Sequence, residues 1–512
     1  MLFNSIEFLF FFLPVVLGGF LLLQKLGNIR LVMLWLVGCS LFFYAWWNPV
    51  YVLLLIFSAC VNFSIGKLLV RGGKEKGLNI LVFGVLFNLG LLGYFKYANF
   101  FLENIRVVMD WSFNFEYIIL PLAISFYTFQ QITYLVDTRR GLADSHGFLE
   151  YSLFVCFFPQ LIAGPIVHHK EIFSQFNRLV DRSMVRTNLR VGLSIFTVGL
   201  FKKVVIADSF SQFSTPVFEL ASQGGSLYTL DALAGTFSYA FQLYFDFSGY
   251  SDMAIGLACL FGIKLPVNFF SPYRALNISD FWRMWHATLS RFLRDYVYSP
   301  LGGFFCSPAR QRFNLFATMF IGGIWHGAGW TFIVYGLCHG SYVVIHQLWR
   351  IKVSGPLNLV GRRDYKAAAQ VFTFLVVALT LVVFRADSIV SAGDIYSAMF
   401  DWNGLQFATG YAEKLQDNKT LELASMLFGQ GYAASVVFIL LAMALSVCWF
   451  LPSTYQLFRN CDVVIDRPLA GREPVISLNW KATAVWGIFV GILAVSALVN
   501  LTQVSEFLYF QF

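Results

Sequence analysis

Residues 78–95 read LNILVFGVLFNLGLLGYF, a run of eighteen residues without Asp, Glu, Lys or Arg. A helix of about 20 apolar residues crosses the roughly 30 Å of hydrocarbon in a bilayer. This run therefore predicts a membrane-spanning helix. Similar runs in the first part of the chain predict further spans at 8–24, 31–46, 50–66 and 117–136.

The composition of the whole chain agrees with these spans. Of its 512 residues, 58% are hydrophobic and 12% are charged, whereas soluble domains carry about a quarter charged residues. This excludes a soluble enzyme, a disordered tail protein and a secreted disulfide scaffold. A membrane β-barrel would show alternating segments of about ten residues, and we find none. The composition predicts an all-α polytopic membrane protein.

The basic residues predict the topology, because Lys and Arg accumulate in cytoplasmic loops. Basic loops at 25–30, 67–76 and 137–146 alternate with loops at 46–49 and 96–116 that lack a basic excess. We therefore expect the N-terminus to lie outside. The net charge of +8 is spread over many loops, so nucleic acid is not an expected partner.

The C-terminal part continues this topology. Loop 350–367 is basic and is expected in the cytoplasm, and spans are predicted at 368–384, 432–451 and 482–502. Loop 401–431 has an acidic excess. We expect this loop and the C-terminus to lie outside.

Two segments do not form simple spans. Segment 149–166 is apolar but has basic loops on both sides, and Pro159 and Pro165 interrupt it. Since proline breaks helices, we expect a re-entrant hairpin, which at membrane depth must line a cavity or be buried in protein. Residues 227–262 are long enough for two short spans, with Gly249 as a candidate bend.

These segments predict about 11–12 transmembrane or re-entrant helices in a single membrane domain. We divide residues 1–512 into N-terminal spans at 1–148, a core with re-entrant segments at 149–350 and C-terminal spans at 351–512. No internal repeat is visible, which weighs against inverted-repeat transporter folds.

Common soluble-enzyme motifs are missing. The eight Cys are far apart and form no CxxC pair, as expected of small core residues. GxSxG, HExxH and P-loop patterns do not occur. His168 and His169 are adjacent, so their side chains diverge and we expect a basic loop there. No metal site is predicted.

Residues 242–256 read QLYFDFSGYSDMAIG and place two carboxylates in an apolar stretch. Asp246 and Asp252 are six residues apart, about 240° around a helix, so they do not share a face. Each carboxylate either pairs with a basic group or caps a helix, or one of them orients a catalytic histidine.

Residues 280–298 read DFWRMWHATLSRFLRDYVY and predict one amphipathic helix, because apolar residues recur at helical spacing. His286 lies on the apolar stripe, whereas Arg291 and Arg294 lie off it. Such a helix rests at the cytoplasmic interface, with its basic side towards headgroups or an anionic ligand. His286 is either a core residue whose hydrogen bonds are made within the protein or a functional residue.

Residues 313–349 contain no Asp, Glu, Lys or Arg but hold His326, His339 and His346. Both flanks are basic, so we predict a hairpin with its tip near residues 322–329. His326 lies roughly 21 Å along a helix from Arg312 and therefore within the membrane thickness. Glycines around it permit close approach of a substrate, and a neutral imidazole is a suitable general base.

Several of these stretches together resemble the membrane-bound O-acyltransferase family, in its bacterial alginate O-acetyltransferase branch. The WHxxLSxFLRDYxYxPLGG and GGxWHG patterns at 285–303 and 322–327 are highly specific in combination. The resemblance extends over most of the chain through YAWWNP (44–49), LGYFKYANF (92–100), SFYTFQQITYLVD (125–137), FFPQLIAGPIV (157–167), FKKVVIAD (201–208), QLYFDFSGYSDMAIG (242–256), FRAD (384–387) and the terminal FLYFQF.

The resemblance implies helices around a central tunnel, with His326 as the catalytic histidine and His286 across the same tunnel. It implies acetyl-CoA as the cytoplasmic co-substrate, without a bound cofactor, and an extracytoplasmic polysaccharide as acceptor. An extracytoplasmic acetyltransferase is the expected protein partner, and the bacterial inner membrane is the expected location. Met284 stands where many relatives have a second Arg.

The residues and the resemblance together give a mechanism. His326 takes the proton from the accepting hydroxyl, and His286 orients a group or stabilises the developing oxyanion. Arg291 and Arg294 hold the phosphates of CoA. We include three further residues in the expected binding set, namely Asp295, Asp246 and Trp325.

Alternative functions remain open at this point. The acceptor is expected to be an alginate-like exopolysaccharide, and the alternatives are peptidoglycan, cellulose or D-alanylation of teichoic acid. A transporter of an acyl donor or glycan would move its substrate without releasing CoA. A scaffold of a polysaccharide secretion complex would tolerate replacement of both histidines.

Overall fold

The computed structural model describes residues 1–110, 115–142, 147–401, 407, 411, 436–465, 473–501 and 508, and the side chains of residues 73–76 are not described. These residues are predominantly helical. The sole β-structure in the described part is an isolated bridge between Leu265 and Val464. The predicted all-α membrane fold is confirmed, and four of its helices are long and apolar enough to cross a membrane.

The N-terminal part consists of apolar helices joined by short loops. Asn28 and Asn48 begin two of these helices, because their side chains accept hydrogen bonds from the first backbone N–H groups. Long apolar helices confirm the spans predicted at 8–24, 50–66 and 78–95, and a shorter apolar helix covers the span predicted at 31–46. The span predicted at 117–136 is wrong in its first part, because residues 117–121 are not helical and the helix there begins at Ile124. The helices of the N-terminal part are α1 (Leu13–Lys25) after a π-turn (Glu7–Phe12), α2 (Ile29–Ala45), α3 (Pro49–Arg71), α4 (Gly73–Leu92), a second π-turn (Gly93–Tyr97) and α5 (Ala98–Met109).

Segment 149–166 is broken and buried, as a re-entrant segment requires. Residues 151–167 are all buried. Phe157 leaves the helical region with ψ of 109°, and the Gln160 side chain donates to the carbonyl of Phe154 at 2.8 Å. The helices around the break are α6 (Ile124–Arg139), α7 (Phe148–Cys156), α8 (Phe158–Leu161) and α9 (His169–Phe176).

One helix covers all but the ends of residues 227–262, so the prediction of two short spans is wrong. This helix, α12 (Thr229–Leu260), has 32 residues and extends about 48 Å at 1.5 Å per residue. The helix continues through Gly249 without interruption. A Cβ on Gly249 would lie 2.7 Å from the carbonyl oxygen of Gly199, so this glycine allows two helices to pack closely.

Helix α12 is the centre of the core. It packs on α10 (Val185–Phe201) and, after a π-turn (Lys202–Ala207), on α11 (Asp208–Ser222). Nearly all of its side chains are buried. Helices at the periphery expose apolar side chains instead, such as Phe83 at 61%, as expected for a surface that faces lipid.

The predicted continuous helix at 280–298 is interrupted, which corrects that prediction. Helix α13 (Ile278–Met284) and helix α14 (Ala287–Leu293) meet at His286, whose φ is +44°. The Ala287 N–H donates to the Asn268 carbonyl at 2.9 Å, which ties the break to a neighbouring loop. Apolar spacing continues across the break, so periodicity alone did not reveal it.

The predicted hairpin at 313–349 is confirmed. Helix α15 (Pro308–His326) ends at the histidine, and α16 (Trp330–Trp349) begins after Gly329. The C-terminal helices are α17 (Arg363–Arg385), α18 (Ile389–Phe400), α19 (Val436–Phe450), α20 (Thr454–Leu457) and α21 (Ala484–Val499). Most of the predicted outer loop 401–431 lies outside the described residues.

Candidate active site

The two predicted histidines both lie close to one indole, that of Trp325. His286 is fully buried and His326 is 5% exposed. The ring centroid of Trp325 lies 6.0 Å from that of His286 and 5.1 Å from that of His326. The structure therefore brings His286 close to Trp325, although about forty positions separate them in the sequence.

His286 is held by a polar cluster at the break between α13 and α14. Its Nδ1 lies 3.1 Å from Oδ1 of Asn268. That oxygen also accepts from the hydroxyl of Thr288 at 2.9 Å, and the Asn268 amide nitrogen donates to Ser251 at 3.2 Å. Because an amide oxygen only accepts, Nδ1 of His286 carries a proton. In the neutral ring, Nε2 then carries the lone pair.

His326 is the last residue of α15 and lies in an aromatic setting. Its ring centroid is 5.3 Å from Phe384 and 6.0 Å from Tyr335. Gly327, the next residue, is extended. On the preceding turn, Gly323 has no room for a Cβ against Gly336 of α16. The glycines therefore allow the hairpin to close tightly behind His326.

His339 continues this row of rings on α16. Its ring centroid lies 4.5 Å from that of Tyr335, and its Nδ1 accepts from the indole N–H of Trp282 at 3.2 Å. The sequence placed His339 in the charge-free segment but did not select it as a site residue.

Lys96 approaches the same region from the second π-turn. Its ammonium donates to the carbonyl oxygens of Trp325 at 2.6 Å and of His326 at 3.0 Å. Sequence reasoning missed this residue. Lys96 could have been found because it lies within the apolar helical segment Gly77–Met109. An ionisable residue in such a segment is energetically unfavourable and is therefore a functional candidate.

A cavity of about 270 Å³ reaches Trp325 and Lys96. Its other walls come from the N-terminus, the end of α2, and the segments before α6 and after α8. The topology predicted above places the N-terminus, loop 46–49 and the start of span 117–136 outside. The lining residues are Met1, Leu2, Trp47, Lys96, Leu120, Pro121, Leu122, Ala123, Ile124, Ser125, Phe126, Ile162, Ala163 and Trp325.

A family model described as the MBOAT, membrane-bound O-acyltransferase family, matches residues 136–385. The peptidoglycan O-acetyltransferase of Helicobacter pylori is 42% identical over 452 residues, which cover 82% of this chain and 84% of that protein. The chain belongs to the membrane-bound O-acyltransferase family. It is also similar to the probable alginate O-acetylase AlgI of Pseudomonas aeruginosa, with 39% identity over 80% of this chain and 76% of the relative. The corresponding protein of Pseudomonas putida is 34% identical over the whole of both chains.

The two predicted phosphate ligands of this O-acyltransferase, Arg291 and Arg294, differ in how accessible they are to a ligand. Arg291 is mostly buried and makes a bidentate pair with Glu171, at 2.5 and 3.0 Å. Arg294 is 59% exposed and pairs with its neighbour Asp295 at 2.7 Å. Of the two predicted phosphate ligands, the structure presents Arg294 to solvent and engages Arg291 inside the protein.

Asp246 lies in an ion-pair cluster between helices. Its carboxylate is 2.9 Å from Lys203, and Lys203 also lies 2.8 Å from Asp208. The neighbouring Lys202 is 2.6 Å from Asp252. Each carboxylate therefore pairs with a basic group, which is the first of the two alternatives that the sequence left open. These pairs join α12 to the π-turn before α11.

His168 and His169 contact one carboxylate near the predicted cytoplasmic surface. Nδ1 of His169 lies 3.3 Å from Asp137, and the Tyr296 hydroxyl donates to Asp137 at 2.9 Å. Burial raises the pKa of Asp137, but the nearby imidazoles of His168 and His169 and the hydrogen bond from Tyr296 outweigh it and hold that pKa well below its usual range. Among the described residues, no group of three or more His, Cys, Asp or Glu is arranged to hold a metal ion.

Proposed function

We propose that this O-acyltransferase moves acetyl groups from cytoplasmic acetyl-CoA to hydroxyl groups of an extracytoplasmic polysaccharide. The observation that carries the proposal is the position of His326. It ends a helix inside the protein, beside an indole that also contacts His286 and lines the cavity. A histidine in this position can meet an acyl group and an acceptor in the same place.

His326 is the proposed general base. It takes the proton of the acceptor hydroxyl while the hydroxyl oxygen forms a bond to the acetyl carbonyl carbon. The resulting tetrahedral intermediate breaks its carbon–sulfur bond, and the CoA thiolate leaves with the proton that His326 returns. Acceptor ester and free CoA are the products. The acceptor hydroxyl belongs to the polysaccharide or to a Ser of a partner protein that relays the acetyl group.

His286 has one role that its hydrogen bond to Asn268 favours. A neutral imidazole with its proton on Nδ1 presents Nε2 as an acceptor. Such a ring orients a hydroxyl group, whereas stabilisation of an oxyanion requires a donor. We therefore assign His286 to orientation of the acceptor hydroxyl.

Arg294 is the proposed contact for the phosphates of CoA, since it is the more exposed of the two arginines. The protein is proposed to lie in the bacterial inner membrane with both termini outside, and an extracytoplasmic acetyltransferase is its proposed partner. The cavity that reaches Trp325 supports acceptor access from that side.

The polymer is the finer part of the proposal, and two classes are supported. The similarity to probable alginate O-acetylases favours an alginate-like exopolysaccharide. The similarity to a peptidoglycan O-acetyltransferase favours peptidoglycan. Parallel assays with both polymers and the matching partner protein distinguish them.

The test uses the full chain in proteoliposomes, with the partner and polymer on one side and acetyl-CoA on the other. CoA thiol release and polymer acetylation are both measured for wild type, His326→Ala and His346→Gln. His346 is a control because it lies at the far end of α16 and contacts Ser279 at 3.0 Å. We expect His326→Ala to lose about 10²–10⁴-fold in rate, and His346→Gln to stay near wild type.

Three results would overturn the proposal. A folded His326→Ala protein with full activity would refute the role of His326 as general base. Polymer acetylation without CoA release would exclude acetyl-CoA as the donor. Substrate movement without acetyl transfer would support a transporter.

A further inference from the structure

Lys96 is a buried cation that faces carbonyl oxygens. Its side chain is 9% exposed, and it lies within the long apolar helical segment Gly77–Met109. In the described part of the chain, its ammonium contacts the carbonyls of Trp325 and His326 and lies 5.8 Å from the Trp325 ring. Burial of a charge without a carboxylate partner is costly. Its position therefore requires an explanation.

The ammonium closes the C-terminal end of α15. The last four carbonyls of a helix have no partner inside the helix, and those at the end of α15 are inside the protein. Lys96 accounts for two of them, and the adjacent Tyr97 hydroxyl donates to Ile324 at 2.8 Å. One π-turn thus supplies hydrogen bonds to three successive carbonyls at residues 324–326.

The charge suits this position. A helix C-terminus carries partial negative charge, so a cation there is favourable. Hydrogen bonds from an ionised donor are roughly twice as strong as neutral ones. The bond from Lys96 to His326 therefore restrains the backbone of that residue more tightly than the neutral bond from Tyr97 restrains Ile324.

We propose that Lys96 is a positioning residue for acyl transfer, which fixes the imidazole of His326 by holding the carbonyls of Trp325 and His326. The proposal rests on the proposed function of His326 as the general base. Lys96 acts through the histidine and takes no proton from the substrate. A small displacement of a catalytic group, about 1 Å, is enough to reduce a rate about 10²-fold.

The test compares Lys96→Met, Lys96→Gln, Lys96→Arg and Tyr97→Phe in the full-length protein with acetyl-CoA, partner and polymer. We measure kcat, KM for acetyl-CoA and thermal unfolding in detergent. Tyr97→Phe is the matched control, because it removes a neutral hydrogen bond from the same helix end.

We expect Lys96→Met to lower kcat about 10²-fold while KM for acetyl-CoA stays within about twofold. Lys96→Arg restores kcat to within about tenfold of wild type, since it keeps the charge. Tyr97→Phe stays within about threefold. If Lys96→Met does not fold, Lys96→Gln is measured instead, and we expect its kcat to fall at least about tenfold, because a shorter and uncharged side chain holds the two carbonyls less tightly.

Three results would overturn the positioning role. The first is a Lys96→Met or Lys96→Gln protein with at least half of the wild-type kcat. The second is a Lys96→Arg protein whose kcat is no higher than that of Lys96→Met, and the third is an equal loss of kcat in Lys96→Met and Tyr97→Phe that parallels their loss of thermal stability. An active His326→Ala protein would refute the proposed general base. An inactive His326→Ala protein together with a fully active Lys96→Met protein would refute the positioning role alone.

Discussion

Oδ1 of Asn268 lies 3.1 Å from Nδ1 of His286, and this contact sets the proton position on the ring. The backbone N–H and the hydroxyl of Thr288 donate to the same oxygen, which fixes the orientation of the amide. A side chain on a loop thus orients the ring of a histidine eighteen residues further along the chain.

The first prediction concerns Asn268. Replacement by Ala leaves the buried Nδ1–H of His286 without its acceptor, which costs about 1–3 kcal/mol and frees the ring to change tautomer. We expect kcat to fall about tenfold to hundredfold with the protein still folded. Acetyl transfer and thermal unfolding are measured for Asn268→Ala and for the control Ser251→Ala, which touches only the far side of the amide. Equal activity in the two variants would contradict the assignment.

The second prediction separates Arg294 from Arg291. Arg294→Ala removes an exposed charge, and we expect it to raise KM for acetyl-CoA about fivefold. High salt should reduce that difference, because surface charges are screened. Arg291→Ala breaks the pair with Glu171 and should lower the unfolding temperature while KM stays within about twofold. The reverse pattern would make Arg291 the phosphate ligand.

The third prediction tests what Asp246 does. Asp246→Asn leaves the ammonium of Lys203 in the core with one carboxylate fewer, and loss of one partner from a buried pair costs about 3–5 kcal/mol. We expect less folded protein but near-normal acetyl transfer per folded molecule. Size-exclusion chromatography gives the folded amount and the CoA assay gives the rate. A large loss of rate in fully folded protein would show that Asp246 orients a site residue after all.

Local sequence features predicted most of the spans and the hairpin of α15 and α16, but placed the start of the span at 117–136 too early. Charge-free runs such as 78–95 must be helices in a bilayer, because every backbone polar group needs an internal partner there. The same logic placed His326 near the hairpin tip. Those conclusions needed only the order of residues along one segment.

Contacts between distant segments were beyond the same reasoning. Gly249 was a candidate bend, but it faces Gly199 on another helix. His286 matched a continuous apolar stripe, although its backbone is held in the left-handed region by a loop eighteen residues earlier. Asp246 pairs with Lys203, and the carbonyl of Trp325 accepts from Lys96. Both contacts depend on how distant segments pack, which residue spacing along one segment does not reveal.

The fourth prediction is a pH dependence of stability at Asp137. Its folded pKa is below the unfolded value of about 3.9, so the carboxylate stabilises the fold above that value and loses this effect as pH falls further. We expect Asp137→Asn to unfold at a lower temperature than wild type at pH 6. The difference should be constant down to about pH 5 and shrink below about pH 4. A difference that stays unchanged at pH 3.5 would contradict the shifted pKa.

The fifth prediction concerns the contact between α10 and α12. A Cβ on Gly199 would lie 2.5 Å from the carbonyl oxygen of Gly249, and neither backbone can move without separating the helices. Gly199→Ala should therefore destabilise the protein by about 1–3 kcal/mol, as overpacking does. Thermal unfolding in detergent measures this effect.

Gly18 provides the matched control for this contact, because a Cβ there meets no atom within 4 Å. Alanine is favoured over glycine in a helix by about 0.8–1.0 kcal/mol, so Gly18→Ala should be neutral or stabilising. The two identical substitutions are thus expected to have opposite signs. If Gly199→Ala also left stability unchanged, the close packing of α10 on α12 would not be a determinant of the fold, and Gly249 would have no packing reason to be a glycine.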